Sequence, residues 1–175
     1  YASFVGGGKS NITTNSYATV GGGRINDASG FMSTVCGGYT NDASAIRATI
    51  CGGGGNDASG VGSFIGGGSL NTASSFYSTV AGGRYNEAKT SKYATVGGGQ
   101  VNKATGGHST IGGGFNNQSY GHHSIVGGGG TNGNGPGKPD AISTNTSRQG
   151  TVDNELRIDT TNTKGGGKVS FAEIP

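Results

Sequence analysis

Apolar side chains recur along this chain at one nearly fixed interval. Val5, Val20, Val35, Ile50, Ile65, Val80, Val96, Ile111 and Val126 each precede a glycine-rich run, and successive members are 15 residues apart except for the 16 between Val80 and Val96. Ala18 and Val20, with Thr19 between them, alternate with the period of two that a short strand with one inward face requires. A second column follows six positions later: Asn11, Asn26, Asn41, Asn56, Asn71, Asn86, Asn102, Asn117 and Asn132. Two aligned columns over nine units mark a repeat architecture. A unit this short cannot form a helix pair or a propeller blade, and it suits one coil of a β-solenoid. The pattern predicts two short strands per coil, the second carrying Asn26 and Ala28, with corners turned by glycine.

The fold class expected is therefore all-β, a parallel β-solenoid of about nine 15-residue coils over residues 1–132. Rungs about 4.8 Å apart would give a rod on the order of 40 Å long. Val20, Val35 and Ile50 should form an inner ladder. Asn26, Asn41 and Asn56 should form an amide ladder or close turns. The period ends after Asn132. A Gly/Pro-rich breaker, 133–150, leads to a hairpin-like tail or cap, 151–175, with strand-like runs at 151–159 and 168–174.

Composition sharpens this picture. Glycine supplies 40 of the 175 residues and tryptophan none, a mixture that would suggest disorder without the period. A net charge of +3, scattered along the chain, lacks the concentrated basic face of a nucleic-acid binder. No apolar run approaches the roughly 20 residues that span a bilayer, so no membrane insertion is expected. A start at Tyr1 rather than Met suggests a fragment or processed product. Each coil would bury little more than one Val and one Ala, a small return against the entropy of ordering its backbone. Lateral association with further copies is the expected remedy.

Candidate chemistry is sparse. "FVGGGKS", Phe4 to Ser10, resembles the end of a phosphate-binding loop, but Ser3 stands where that motif needs glycine. The column of its Lys9 continues as Arg24, Tyr39, Gly54, Ser69, Arg84, Gln100, Phe115 and Gly130, which no phosphate site would tolerate. Cys36 and Cys51 share a column in adjacent coils, so a disulfide is a candidate beside two stacked thiols. His108 and His123 share another, with His122 alongside, and are candidate metal ligands beside a solvent-facing alternative. The column Thr19, Thr34, Thr49, Thr79, Thr95 and Thr110 raises an ice-binding face, although Phe4, Phe64 and Ile125 interrupt it. The dispersed acids give no paired carboxylates, so no enzyme activity and no cofactor are expected. Arg24, Tyr39, Tyr77, Arg84, Tyr85 and Tyr93 are the candidate binding surface, since Arg and aromatic side chains dominate recognition patches. Sequons begin at Asn11, Asn117 and Asn145.

The units "YATVGGGRINDASG" (Tyr17 to Gly30) and "YSTVAGGRYNEAKT" (Tyr77 to Thr90) resemble the head repeats of YadA-type trimeric adhesins. They are still more similar to the Gly-Gly-Gly/Asn-x-Ala-Ser-Gly variant of phage and algal-virus fibre proteins. The resemblance runs from Tyr1 to about Asn132. It implies a left-handed β-roll, a homotrimer about one axis, and attachment to a host-cell surface receptor or glycan. The functional expectation is an extracellular structural segment of a phage or viral tail fibre. The alternative is the head of a bacterial trimeric surface adhesin on the cell surface, with an ice-binding solenoid as a further reading.

Overall fold

A strict period lets each coil meet the next with the same residue types at the same height, which is the condition for parallel in-register pairing. A computed structural model describes residues 2–129 and the short strands Gly133–Asn134, Ser143–Thr144 and Leu156–Arg157. Among the described residues every regular element is a strand, and the chain winds as a parallel β-solenoid of about 8 turns. One sheet of nine strands runs its length in the order Phe4–Val5, Thr19–Val20, Thr34–Val35, Thr49–Ile50, Phe64–Ile65, Thr79–Val80, Thr95–Val96, Thr110–Ile111, Ile125–Val126. The pairing is parallel throughout, with Val20 opposite Val35 and Val35 opposite Ile50.

The second strand of the coil lies at the Asn-x-Ala segment. Ile12–Thr13 pairs with Asp27–Ala28, single bridges join Asp27, Asp42, Asp57 and Thr72, and the ladder continues through Glu87–Ala88, Lys103–Ala104 and Gln118–Ser119 to Gly133–Asn134. Parallel pairing thus persists into the first two residues of the expected breaker. A third ladder was not expected from the sequence: Lys9, Arg24, Tyr39, Gly54, Ser69, Arg84, Gln100 and Phe115 bridge coil to coil. The glycine run turns the chain sharply enough for the residue after it to rejoin the stack. Ser143–Thr144, inside the expected breaker, pairs antiparallel with Leu156–Arg157 of the tail, so the first tail strand is paired with the breaker where the sequence suggested the 168–174 run. The run expected at 168–174 lies outside the described residues.

The core is one residue wide. Val20, Val35, Ile50, Ile65, Val80, Val96, Ile111 and Val126 are buried, with Ala18, Ala48 and Ala94 or serine on one side and Ala28, Ala43, Ala58, Ala73, Ala88 and Ala104 on the other. Alanine fits because the two walls of so small a coil leave no room for a longer side chain.

Glycine supplies the turn at the glycine run, as at Gly23 (φ 89) and Gly38 (φ 98), but not at every corner as the sequence suggested. Two corners per coil are held in the left-handed region by ordinary residues, such as Ile25 (φ 56) and Val101 (φ 61) at one and Tyr17 (φ 60) and Met32 (φ 58) at the other. For L-residues this costs about 1–2 kcal/mol each. The compensation is a reversed hydrogen bond. Strand amides bond toward the next coil, as Thr19 N–H does to Ser33 O, whereas Ile25 N–H bonds back to Lys9 O and Met32 N–H back to Ser16 O. Each left-handed corner therefore ties the coil to both neighbours.

Candidate functional site

The asparagine column explains why the rod is regular enough to display anything. Asn26 is buried, and its Nδ2 donates to Gly22 O at 3.0 Å in its own coil and to Gly38 O at 2.9 Å in the next. Its Oδ1 accepts the backbone N–H of Asn41 at 3.0 Å. Asn41 and Asn56 repeat the pattern, and Asn56 Nδ2 also reaches Asn41 Oδ1 at 3.1 Å. The residue is both a turn closer and an amide ladder. Asn117 is buried in the same way, so its sequon is closed in the folded rod. Asn145 lies outside the described residues.

Outward columns carry the exposed aromatic and basic side chains. Exposed large apolar side chains include Phe4, Tyr17, Met32, Tyr39, Ile46, Phe76, Tyr77, Tyr93, Phe115 and Tyr120. The six candidate binding residues fall in different places. Arg24 lies over the Tyr39 ring, its guanidinium carbon 5.6 Å from the centroid, and Arg84 lies 4.9 Å from the Tyr85 centroid, both along the corner after the glycine run. Tyr77 and Tyr93 stack at 5.6 Å on the other corner. There the stack continues: Tyr93 on His108 at 4.8 Å and His108 on His123 at 4.8 Å. Four rings thus form one column across four coils.

That stacking bears on the metal ligands. The His108 and His123 rings are within 15° of parallel, so their in-plane nitrogens do not converge on a point between them. Among the described residues, no group of three His, Cys, Asp or Glu side chains could hold a metal ion. The candidate disulfide is likewise replaced by two free, exposed thiols at Cys36 and Cys51. Parallel neighbours project their side chains the same way, a poor arrangement for the disulfide torsion. Burial, followed by the adjacent Cys36, pushes the Cys51 thiol above its ordinary range.

The irregular coil makes a concavity. Both strand ladders keep register across it, Val80 opposite Val96 and Glu87 opposite Lys103, so the extra residue is absorbed at the corner around Thr90 and Ser91. Beside it opens a groove of about 760 Å³ lined by Ser74, Ser75, Phe76, Thr90, Ser91, Lys92, Gly107, His108, His122 and His123. Phe76, Ser91 and Lys92 were not singled out from the sequence. The signal available was the spacing of 16 in a chain otherwise paced at 15.

No family model matches the chain, and no curated protein matches it.

Proposed function

We propose that this chain is a structural segment of an extracellular fibre, a phage or viral tail fibre, which associates as a homotrimer and presents a face that binds a host-cell surface receptor or glycan. One observation carries the reading: inward columns are nearly constant and outward ones are not. Val or Ile, Asn and Ala repeat inside, while the bridge column after the glycines runs Lys9, Arg24, Tyr39, Gly54, Ser69, Arg84, Gln100 and Phe115. A scaffold selected for rigidity with a surface free to vary is the usual division between framework and recognition. Exposed aromatic and branched side chains on a rod with so thin a core also favour lateral burial against further copies. The fibre role asks for no catalytic group or cofactor.

The experiment is to measure molar mass in solution and, on the same preparation, attachment of labelled chain to intact host cells. A mass three times that of the chain together with saturable attachment agrees with the proposal. A monomer that attaches to no cell at micromolar concentration refutes it.

A further inference from the structure

We infer that the groove opened by the 16-residue coil is a binding site for an anionic saccharide, a carboxylated pyranose, seated between Phe76, Lys92 and the His108–His123 column. The inference rests on the reading of the rod as a display scaffold and names the ligand class that one part of it takes.

Three observations converge. The site occurs where the repeat is broken. Every other interval in the valine column is 15 residues, and the inserted position lies in the groove wall rather than in either strand. Cross-coil bonds resume on both sides of it, Tyr93 N–H to Phe76 O at 2.9 Å and His108 N–H to Lys92 O at 2.9 Å, so the insertion leaves the stack intact. Next, Thr90 adopts φ 78, further into the positive range than any other non-glycine residue among the described residues, where the rest with positive φ lie between 52 and 61. A β-branched residue held there is strained, and such strain collects at functional positions.

The lining chemistry selects the ligand. Lys92 and three histidines line the groove with Ser74, Ser75, Thr90 and Ser91, and among the described residues no carboxylate does. Glu87, the acid nearest in sequence to the inserted position, is already engaged by Lys89 at 2.5 Å and Lys103 at 3.5 Å. Positive charge and hydroxyl or imidazole donors without an opposing acid favour an anion that also offers many acceptors. Phe76 is half exposed, with Lys92 Nζ 5.5 Å from its centroid, which puts an apolar platform and a cation side by side. A pyranose carboxylate matches both, an apolar C–H face for the ring and a charge for the ammonium.

The test uses the full chain and calorimetric or NMR titration with two acidic probes, trigalacturonic acid and sialyllactose. The controls are trigalacturonate methyl ester, lactose and inorganic phosphate. The inference expects at least one acidic sugar to bind, the uncharged analogue to bind about tenfold more weakly or less, and phosphate not to compete. Lys92→Gln should weaken the acidic sugar by about tenfold. Deletion of Ser91, which restores the regular spacing, should abolish binding while leaving the β-sheet circular dichroism and the solution mass unchanged. If the deletion variant misfolds, Phe76→Ala takes its place with the same expected loss. Failure of both acidic sugars to bind, equal binding of ester and acid, equal competition by phosphate, or full retention in Lys92→Gln would overturn the inference. Host-cell attachment separates the two proposals: attachment that persists without any binding of acidic sugar sinks the groove and spares the fibre.

Discussion

Replacing Asn56 by alanine tests the physical basis of the stack. Its Nδ2 donates to Gly52 O at 3.0 Å, Gly68 O at 3.1 Å and Asn41 Oδ1 at 3.1 Å, and its Oδ1 accepts from Asn71 N–H at 3.0 Å. Not all these partners are stranded by the change. Gly68 O still receives Gly54 N–H at 2.9 Å, and Asn41 Oδ1 still receives the backbone N–H of residue 56 at 3.1 Å. Gly52 is only half-buried, so water can take over its carbonyl. The buried Asn71 N–H has no substitute. One orphaned amide at about 1–3 kcal/mol and two or three lost bonds at about 1 kcal/mol each give a loss of about 3–6 kcal/mol. Asn11 makes comparable bonds, to Gly7 O at 2.7 Å, to Gly23 O at 3.0 Å and from Asn26 N–H at 3.0 Å, but is itself partly exposed at the first coil. Water reaching that end of the stack should hold its loss to about 1–3 kcal/mol, below that at Asn56. Urea titration followed by circular dichroism would measure both variants, with the slope checked for loss of two-state behaviour, since a weakened interface can uncouple a linear stack. Equal losses at the two positions would refute the argument that burial, rather than the bonds as such, sets the cost.

Three further outcomes are expected. Within one glycine triplet, Gly23→Ala should destabilise severely, because its Cβ would meet Gly38 O at 2.3 Å at φ +89, whereas Gly22→Ala meets nothing within 4 Å and should change the denaturation midpoint little; similar midpoints for the two would contradict this. Burial, then the in-register Asp27 and Asp57 carboxylates, raises the Asp42 pKa above its ordinary value. A raised folded pKa favours the fold at acid pH, so this contribution fades as pH climbs from the ordinary carboxylate pKa through the raised one. Asp42→Asn should remove that dependence and stabilise the rod at neutral pH by about 0.2–1 kcal/mol; an unchanged stability-against-pH profile would count against it. For Cys51, raised by burial and then by Cys36, the pH-rate profile of alkylation should lie above that of an unperturbed thiol. Cys36→Ala should recover only part of the shift; a Cys51 that alkylates like a free thiol would count against both causes, and an unchanged profile in Cys36→Ala against the contribution of Cys36.

How far the molecule was legible follows from what repeats. The valine and asparagine columns set the height of each coil, because parallel pairing matches a residue with its equivalent one period on. Val20 opposite Val35 and the Asn26–Asn41 bond are direct consequences. The third bridge, Arg24 to Tyr39, was not legible, because its column shares no residue type and its pairing is made by backbone alone. Nor were the left-handed corners at Ile25 and Val101, where local preference argues against the conformation and inter-coil bonds override it.

Sequence by itself thus determined the period, the inward columns and the single break in pace, since each is a matter of residue type recurring at a distance. Only the folded stack decided which outward side chains meet. Coiling brings residues 15 or 16 positions apart into contact, so Tyr77, Tyr93, His108 and His123 become one column of rings, and the extra residue beside them becomes the wall of a groove. Proximity along the rod is set by coil geometry rather than by chain order, and for that reason the composition of the groove could not be read from any one segment.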